Sequence, residues 1–215
     1  IKAFKKDLDE WTRNLRSYPG YRLDLRGSNL QRADLSAKRP DRSDAVFSGA
    51  LLQDTRMEGA NLATARMEGA ILIGARLEVA DLSRTELEGA LLLDTRMEGA
   101  NLEKAQLEGA LLWHTRMEGA FLWNARIAGA SLLGAHLKEA NFNNAQMEGA
   151  NLSDARMEGA DLRFARMEGV NLSKARMDRT TIWTEVLLHG AAVQSVDFRE
   201  TTISEEQIKT TFGDG

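Results

Sequence analysis

Residues 155–169 read ARMEGADLRFARMEG, three five-residue phrases that begin on Ala155, Ala160 and Ala165. A helix repeats its apolar positions about every 3.6 residues and a strand every 2, so a strict period of five belongs to neither. The same cut extends without a gap from Ala45 to His189, as about 29 blocks with a small residue first and an apolar one third. Three blocks precede that run, centred on Leu25, Leu30 and Leu35. After one extra residue at Gly190, three more follow, centred on Val193, Phe198 and Ile203. All 8 methionines, Met57 through Met177, stand on centre positions. Such a period marks an array of units that cannot bury an apolar face alone and gain a core only by stacking. One small and one large inward residue per block suit a narrow, close-packed interior. Each buried Leu or Met centre contributes about 1.5–3 kcal/mol before chain entropy is set against it.

The phrases Ala60-Asn61-Leu62, Ala80-Asp81-Leu82, Ala100-Asn101-Leu102 and Ala160-Asp161-Leu162 carry a sharper motif. The pattern resembles the pentapeptide-repeat family, A(D/N)LXX, over nearly the whole chain from about Tyr21 to Ser204. The resemblance implies an all-β solenoid, a right-handed quadrilateral β-helix in which each block forms one side of a square and four blocks make a coil. About 35 blocks then stack into about nine coils, roughly 40 Å long at roughly 4.8 Å per coil.

An open solenoid exposes unpaired backbone at its ends, and both termini offer covers. In residues 1–20, Ile1, Phe4, Leu8, Trp11 and Leu15 recur at helical spacing, which predicts an amphipathic capping helix ended at Tyr18-Pro19-Gly20. The repeats occupy 21–203, and KRPDRSD at 38–44 breaks the period as a charged loop. In 204–215, Ser204 and Gln207 form a capping box ahead of Ile208 and Phe212, which predicts a second short helix.

Composition narrows the function. A net charge of −4, from 28 basic and 32 acidic residues, is slight for 215 residues and implies neither a nucleic-acid surface nor a strongly acidic one. With no cysteine there are no disulfides, zinc-thiolate sites or thiol nucleophiles. No apolar run approaches the roughly 18 residues that a membrane span needs, so the chain itself requires no membrane contact. It begins at Ile1 rather than Met, as a trimmed chain would, which leaves room for an upstream anchor. The opening GYRLDLRGSNLQRADLS, residues 20–36, and the ARMEGA units are similar to alphaproteobacterial members of the family. Such members often carry a transmembrane helix and a helical region before the repeats. The resemblance therefore implies a cytoplasmic protein, with any tether to the inner membrane supplied by a segment outside this chain.

Because ARMEG-type blocks alternate with A(N/D/L)Lxx blocks, the true unit is ten residues and the faces come in opposite pairs. One charged face sets Arg56, Arg76, Arg96, Arg116 and His136 beside Glu58, Glu78, Glu98, Glu118 and Lys138. The face opposite sets Arg66, Glu86, Gln106, Arg126, Gln146 and Arg166 beside Glu68, Glu88, Glu108, Ala128, Glu148 and Glu168. Neighbouring columns of opposite sign read as solvated, self-compensating surfaces. Recurring glycines such as Gly99 and Gly159 suit corners that require positive φ.

The blocks beginning at 50, 70, 90, 110 and 130 differ. Their outward positions hold Leu51, Ile71, Ile73, Leu91, Leu93, Leu111, Trp113 and Leu133, where the opposite face mostly has Asn, Asp, Ser or Glu. A contiguous apolar stripe on a soluble protein marks an interface. Its occupant is a protein partner, a second copy in a homodimer, or a covering segment such as the N-terminal helix. A smaller group, Phe121, Trp123, Phe164 and Trp183, falls on the opposite face.

The sequence assigns no catalytic residue, no metal ligand set and no cofactor. His114 and His136 approach on successive coils near Asp94, yet without metal-ligand spacing or a nucleophile-base pair. The glycines do not space as a phosphate-binding loop, and no aromatic-interleaved basic strip supports nucleic-acid binding. Family members that protect DNA gyrase from quinolones look like DNA mimics, with strongly acidic surfaces and, in many, projecting loops. That alternative, a modulator of gyrase or topoisomerase, fits less well because the charged faces are compensated and no loop interrupts 45–189. The expected function is a noncatalytic protein-interaction scaffold.

Overall fold

The computed structural model describes residues 23–36, 47–196, Phe198, Thr201 and Ile203. The expected terminal helices and the 38–44 loop lie outside these residues. The described chain winds as a square solenoid. Each block contributes one short parallel bridge, and Leu51 pairs with Ile71, Ile71 with Leu91 and Leu91 with Leu111, each twenty residues on. Three other columns run alongside, through Arg56 and Arg76, through Asn61 and Asp81, and through Arg66 and Glu86. We number the four faces by these columns in chain order, face 1 to face 4.

The five-residue period follows from backbone accounting. In the block Ala70–Gly74, the Ile71 amide donates back to Ala50 O at 2.9 Å, and the Leu72 and Gly74 amides donate forward to Leu91 O and Leu93 O at 2.7 and 3.0 Å. The corner closes when the Ala75 amide donates to Leu72 O at 2.9 Å. Gly74 takes φ +68° as third residue of that turn, the signature of a type II corner. Four amides are thus used within the backbone, and only the Ile73 amide is left over.

In A(N/D)LXX blocks the Asn or Asp side chain takes that fifth amide. Asn61 Oδ1 accepts from Ala63 N at 3.0 Å, Asp81 Oδ1 from Ser83 N at 3.0 Å, and Asn101 Oδ1 from Glu103 N at 3.1 Å. The motif residue is therefore a cap for an otherwise orphaned donor, which explains its chemistry and its position two residues before that donor.

Inside, the small first residues and the large centres are almost wholly buried, from Ala50 and Leu52 through Leu172. Where threonine replaces alanine the hydroxyl is satisfied: Thr85 Oγ1 donates to Leu82 O at 2.6 Å and Thr95 Oγ1 to Leu72 O at 2.9 Å.

The register departs from the sequence expectation near the C-terminal end. The pairing offset changes from Arg156 with Arg176 to Asp161 with Ile182, so the extra residue falls between Arg176 and Ile182 rather than at Gly190. Trp183 and Leu188, not Ile182 and Leu187, become the buried centres. Thr180-Thr181-Ile182-Trp183 offers two overlapping small-to-apolar frames, and the frame that buries the larger indole prevails. Asp178 holds the inserted corner, its Oδ1 accepting from Thr180 N at 2.9 Å and Gly159 N at 3.3 Å. Trp183 meets Phe198 edge to face, with centroids 6.1 Å apart. It thereby leaves the surface aromatic group in which the sequence placed it.

Candidate interaction faces

Face 1 brings together all eight residues of the expected stripe. Leu51, Ile71, Leu91 and Leu111 form one bridged column. Ile73, Leu93, Trp113 and Leu133 form a second, linked because the Gly74, Asp94 and His114 amides donate to Leu93 O, Trp113 O and Leu133 O. Seven of the eight are half-buried by their neighbours, and Trp113 is exposed. The stripe has polar ends: Asp24 pairs with Leu51 at one, and Leu111 pairs with Ser131 at the other. There the Trp113 indole Nε1 donates to Ser131 Oγ at 2.8 Å, which fixes the ring against the sheet.

On this face the apolar residues occupy the capping position. With Leu51, Ile71, Leu91 and Leu111 where A(D/N)LXX has an amide or carboxylate, the Gln53, Ile73, Leu93 and Trp113 amides find no acceptor among the described residues. Beyond the stripe the caps return: Asn151 Oδ1 accepts from Ser153 N at 3.1 Å and Asn171 Oδ1 from Ser173 N at 3.0 Å. Sequence patterning located the stripe, but the loss of the caps could not be recognised without the hydrogen bonds.

Face 2 is an ion-pair ladder across coils. Arg76, Arg96 and Arg116 each place Nε 3.0 Å from the carboxylate of the preceding coil, Glu58, Glu78 and Glu98. The Arg76 and Arg96 Nε–H groups are not aimed along these lines, so those contacts are electrostatic rather than aligned hydrogen bonds. His136 continues the ladder to Glu118 at 3.3 Å, and Lys138 then stands where the next carboxylate belongs. A shallow depression of about 430 Å³ opens there among His136, Lys138, Arg156 and Glu158. Face 4 pairs Arg66 with Glu86 at 3.3 Å and Arg166 with Glu148 at 2.9 Å. Burial pushes the Glu88 carboxyl above its ordinary value, and the Glu108, Glu86 and Glu68 charges push it further.

His114 and His136 serve different faces. The His114 ring lies over Gly134, where a Cβ would come within 2.6 Å of Nδ1, whereas His136 meets Glu118. No group of three His, Cys, Asp or Glu residues suited to a metal ion occurs among the described residues. No helix among them is long and apolar enough to cross a membrane.

Square coils, alternating capped and charged blocks, and a filled core define a protein of the β-solenoid class. A pentapeptide-repeat model matches 8 copies over residues 43–78, 80–119, 105–144 and 140–179, and the chain belongs to that family. Among solved structures it is similar to full-length QnrB1, a plasmid-mediated fluoroquinolone resistance protein, with TM-score 0.63 and 19% identity over 88% of this chain and 95% of that one. At that identity the likeness shows the fold, a right-handed β-helix, and nothing more. HetL from Nostoc sp. strain PCC 7120, a pentapeptide-repeat protein involved in heterocyst differentiation regulation, is 29% identical over 80% of this chain and 87% of its own, with TM-score 0.39. Rfr23 from the cyanobacterium Cyanothece 51142 is 25% identical over 75% of this chain and 88% of its own, with TM-score 0.33. No curated protein sequence matches the chain.

Proposed function

We propose that this protein is a noncatalytic scaffold whose face 1 docks a protein, either a partner or a second copy of the chain. The observation that carries the reading is the exchange of caps for apolar residues along that face. Leu51, Ile71, Leu91 and Leu111 take the places of side chains that would each satisfy a backbone amide. Leaving a donor without an acceptor among the described residues forgoes about 1 kcal/mol at each position, the net value of one hydrogen bond. Partly exposed leucine and isoleucine do not recover this as a core residue would, so the gain lies outside folding. The rigid solenoid keeps the two columns flat, so little ordering entropy opposes docking. The compensated ion-pair ladder of face 2 argues against the acidic DNA-mimic alternative.

Sedimentation over a concentration range, with the parent chain beside a Leu93→Asp/Trp113→Asp variant, tests the reading. A parent dimer and a folded variant monomer establish self-association through face 1. Two monomers exclude the second copy and leave a different protein or a covering segment of the chain as the occupant. A variant that associates as the parent does overturns face 1 as the contact surface.

A further inference from the structure

Face 3 carries a second interruption of the capping pattern, unlike the first. Down its column Asn61, Asp81, Asn101, Asn141 and Asp161 all cap the amide two residues on. Phe121 alone breaks this run, bridged to Asn101 on one side and Asn141 on the other. Its ring gains no core in exchange, being 53% exposed, and Trp123 beside it is 44% exposed. The two rings, with Asn101, Asn141 and Glu103, line an open depression of about 350 Å³.

We propose that this depression binds an uncharged oligosaccharide, with the C–H face of a sugar ring stacked on Phe121 and Trp123. The volume lies within the range of about 300–1,000 Å³ typical of small-ligand sites. Flat aromatic surfaces answer the apolar face of a pyranose, and the polar groups beside them answer its hydroxyl rim. Two donors there are unused by the described residues: the Trp123 backbone amide, uncapped because Phe121 precedes it, and the Asn141 amide nitrogen. Asn141 is already oriented, since its Oδ1 accepts from Asn143 N at 2.9 Å, so little side-chain entropy is lost on binding.

Charge argues for a neutral ligand. Lys104 Nζ lies 2.7 Å from Glu103 Oε1 and 5.3 Å from the Trp123 ring centroid. The cation site that Trp123 and Glu103 create is thus filled by the chain itself. In the neighbouring coils, Asp81 accepts from Asn101 Nδ2 at 3.2 Å and Asp161 pairs with Arg163 at 2.6 Å. A phosphate would face Glu103, and a wholly apolar peptide side chain would leave the amide donors unanswered.

The test uses the whole chain labelled with 15N and follows its indole N–H signals during titration with cellotetraose, maltotetraose and N-acetylchitotetraose. At least one sugar moves the Trp123 signal saturably and leaves that of Trp113 on face 1 in place. Phe121→Ala weakens that binding about tenfold or more while the rest of the spectrum stays unchanged. The proposal is overturned if no sugar moves Trp123, if Trp113 moves equally, or if the response survives Phe121→Ala undiminished. A Trp123 shift with tetralysine peptide and with none of the sugars overturns it as well, in favour of a cation site.

Discussion

Arg96 sits closer to the glutamate of the preceding coil than to its own: Nε lies 3.0 Å from Glu78 Oε1, whereas Nη2 lies 3.5 Å from Glu98 Oε1. The ion pairs therefore staple coil to coil, and Glu58, Glu78 and Glu98 each lie between two guanidinium groups. Replacing Glu78→Gln is expected to lower stability by about 0.5–1 kcal/mol, since the arginines remain partly in solvent. Urea unfolding should show that loss shrinking in ~1 M NaCl, where screening acts over about 3 Å. Lys138→Glu, which restores the missing carboxylate beside Arg156, is expected to stabilise by a similar or smaller amount.

Val79 is a β-branched residue at φ 57°, 71% exposed, in a corner column where Gly59 and Gly99 hold the same conformation. The left-handed region costs an L-residue roughly 1–2 kcal/mol, and Val cannot offset this with a local hydrogen bond. Val79→Asn should therefore raise stability by about 1 kcal/mol, seen as a higher urea midpoint with an unchanged slope.

The face 4 carboxylates predict a pH effect of unusual sign. Burial, reinforced by the Glu108, Glu86 and Glu68 charges, raises the Glu88 pKa above 4.5. The folded state then binds the proton more tightly than the unfolded state, so the penalty is absent in acid. It develops as pH rises from the ordinary value through the raised one. Glu88→Gln should be more stable than the parent at neutral pH, and that advantage should vanish on acidification. Asp178 runs the other way. The Thr180 hydroxyl, with the Thr180, Gly159 and Thr181 amides, lowers its pKa, so its contribution persists at neutral pH and is lost as pH falls through the lowered value.

Phe121→Asn restores the cap in the face 3 column and removes an exposed ring. Thermal unfolding is expected to show a gain of about 1 kcal/mol, the net value of one backbone hydrogen bond. A loss of similar size would mean that Phe121 packs usefully against its neighbours in the unliganded chain.

The C-terminal register is open to a direct comparison. Trp183→Ala empties a buried centre and should cost about 3–5 kcal/mol, while Ile182→Ala, at an outward position, should cost under about 1 kcal/mol. The frame read from spacing alone, with Ile182 as the centre, requires the opposite ranking.

Much of the architecture was legible in the letters. A five-residue period, methionines confined to one phase, and Ala or Thr two places earlier determine which side chains enter the core, because a square coil admits only that alternation. The eight apolar residues of face 1 were equally legible, since a twenty-residue repeat sets them in adjacent coils. Tertiary structure decided what a one-dimensional pattern leaves degenerate. Thr180-Thr181-Ile182-Trp183 satisfies two frames, and only the competition for core volume selects Trp183. The pairing of Arg76, Arg96 and Arg116 with carboxylates of the preceding coil depends on side-chain reach between coils, which no spacing encodes. The meaning of Asn in A(D/N)LXX, and hence of its loss at Leu91 or Phe121, rests on one leftover amide per block. That amide becomes visible only when every other backbone hydrogen bond has been placed.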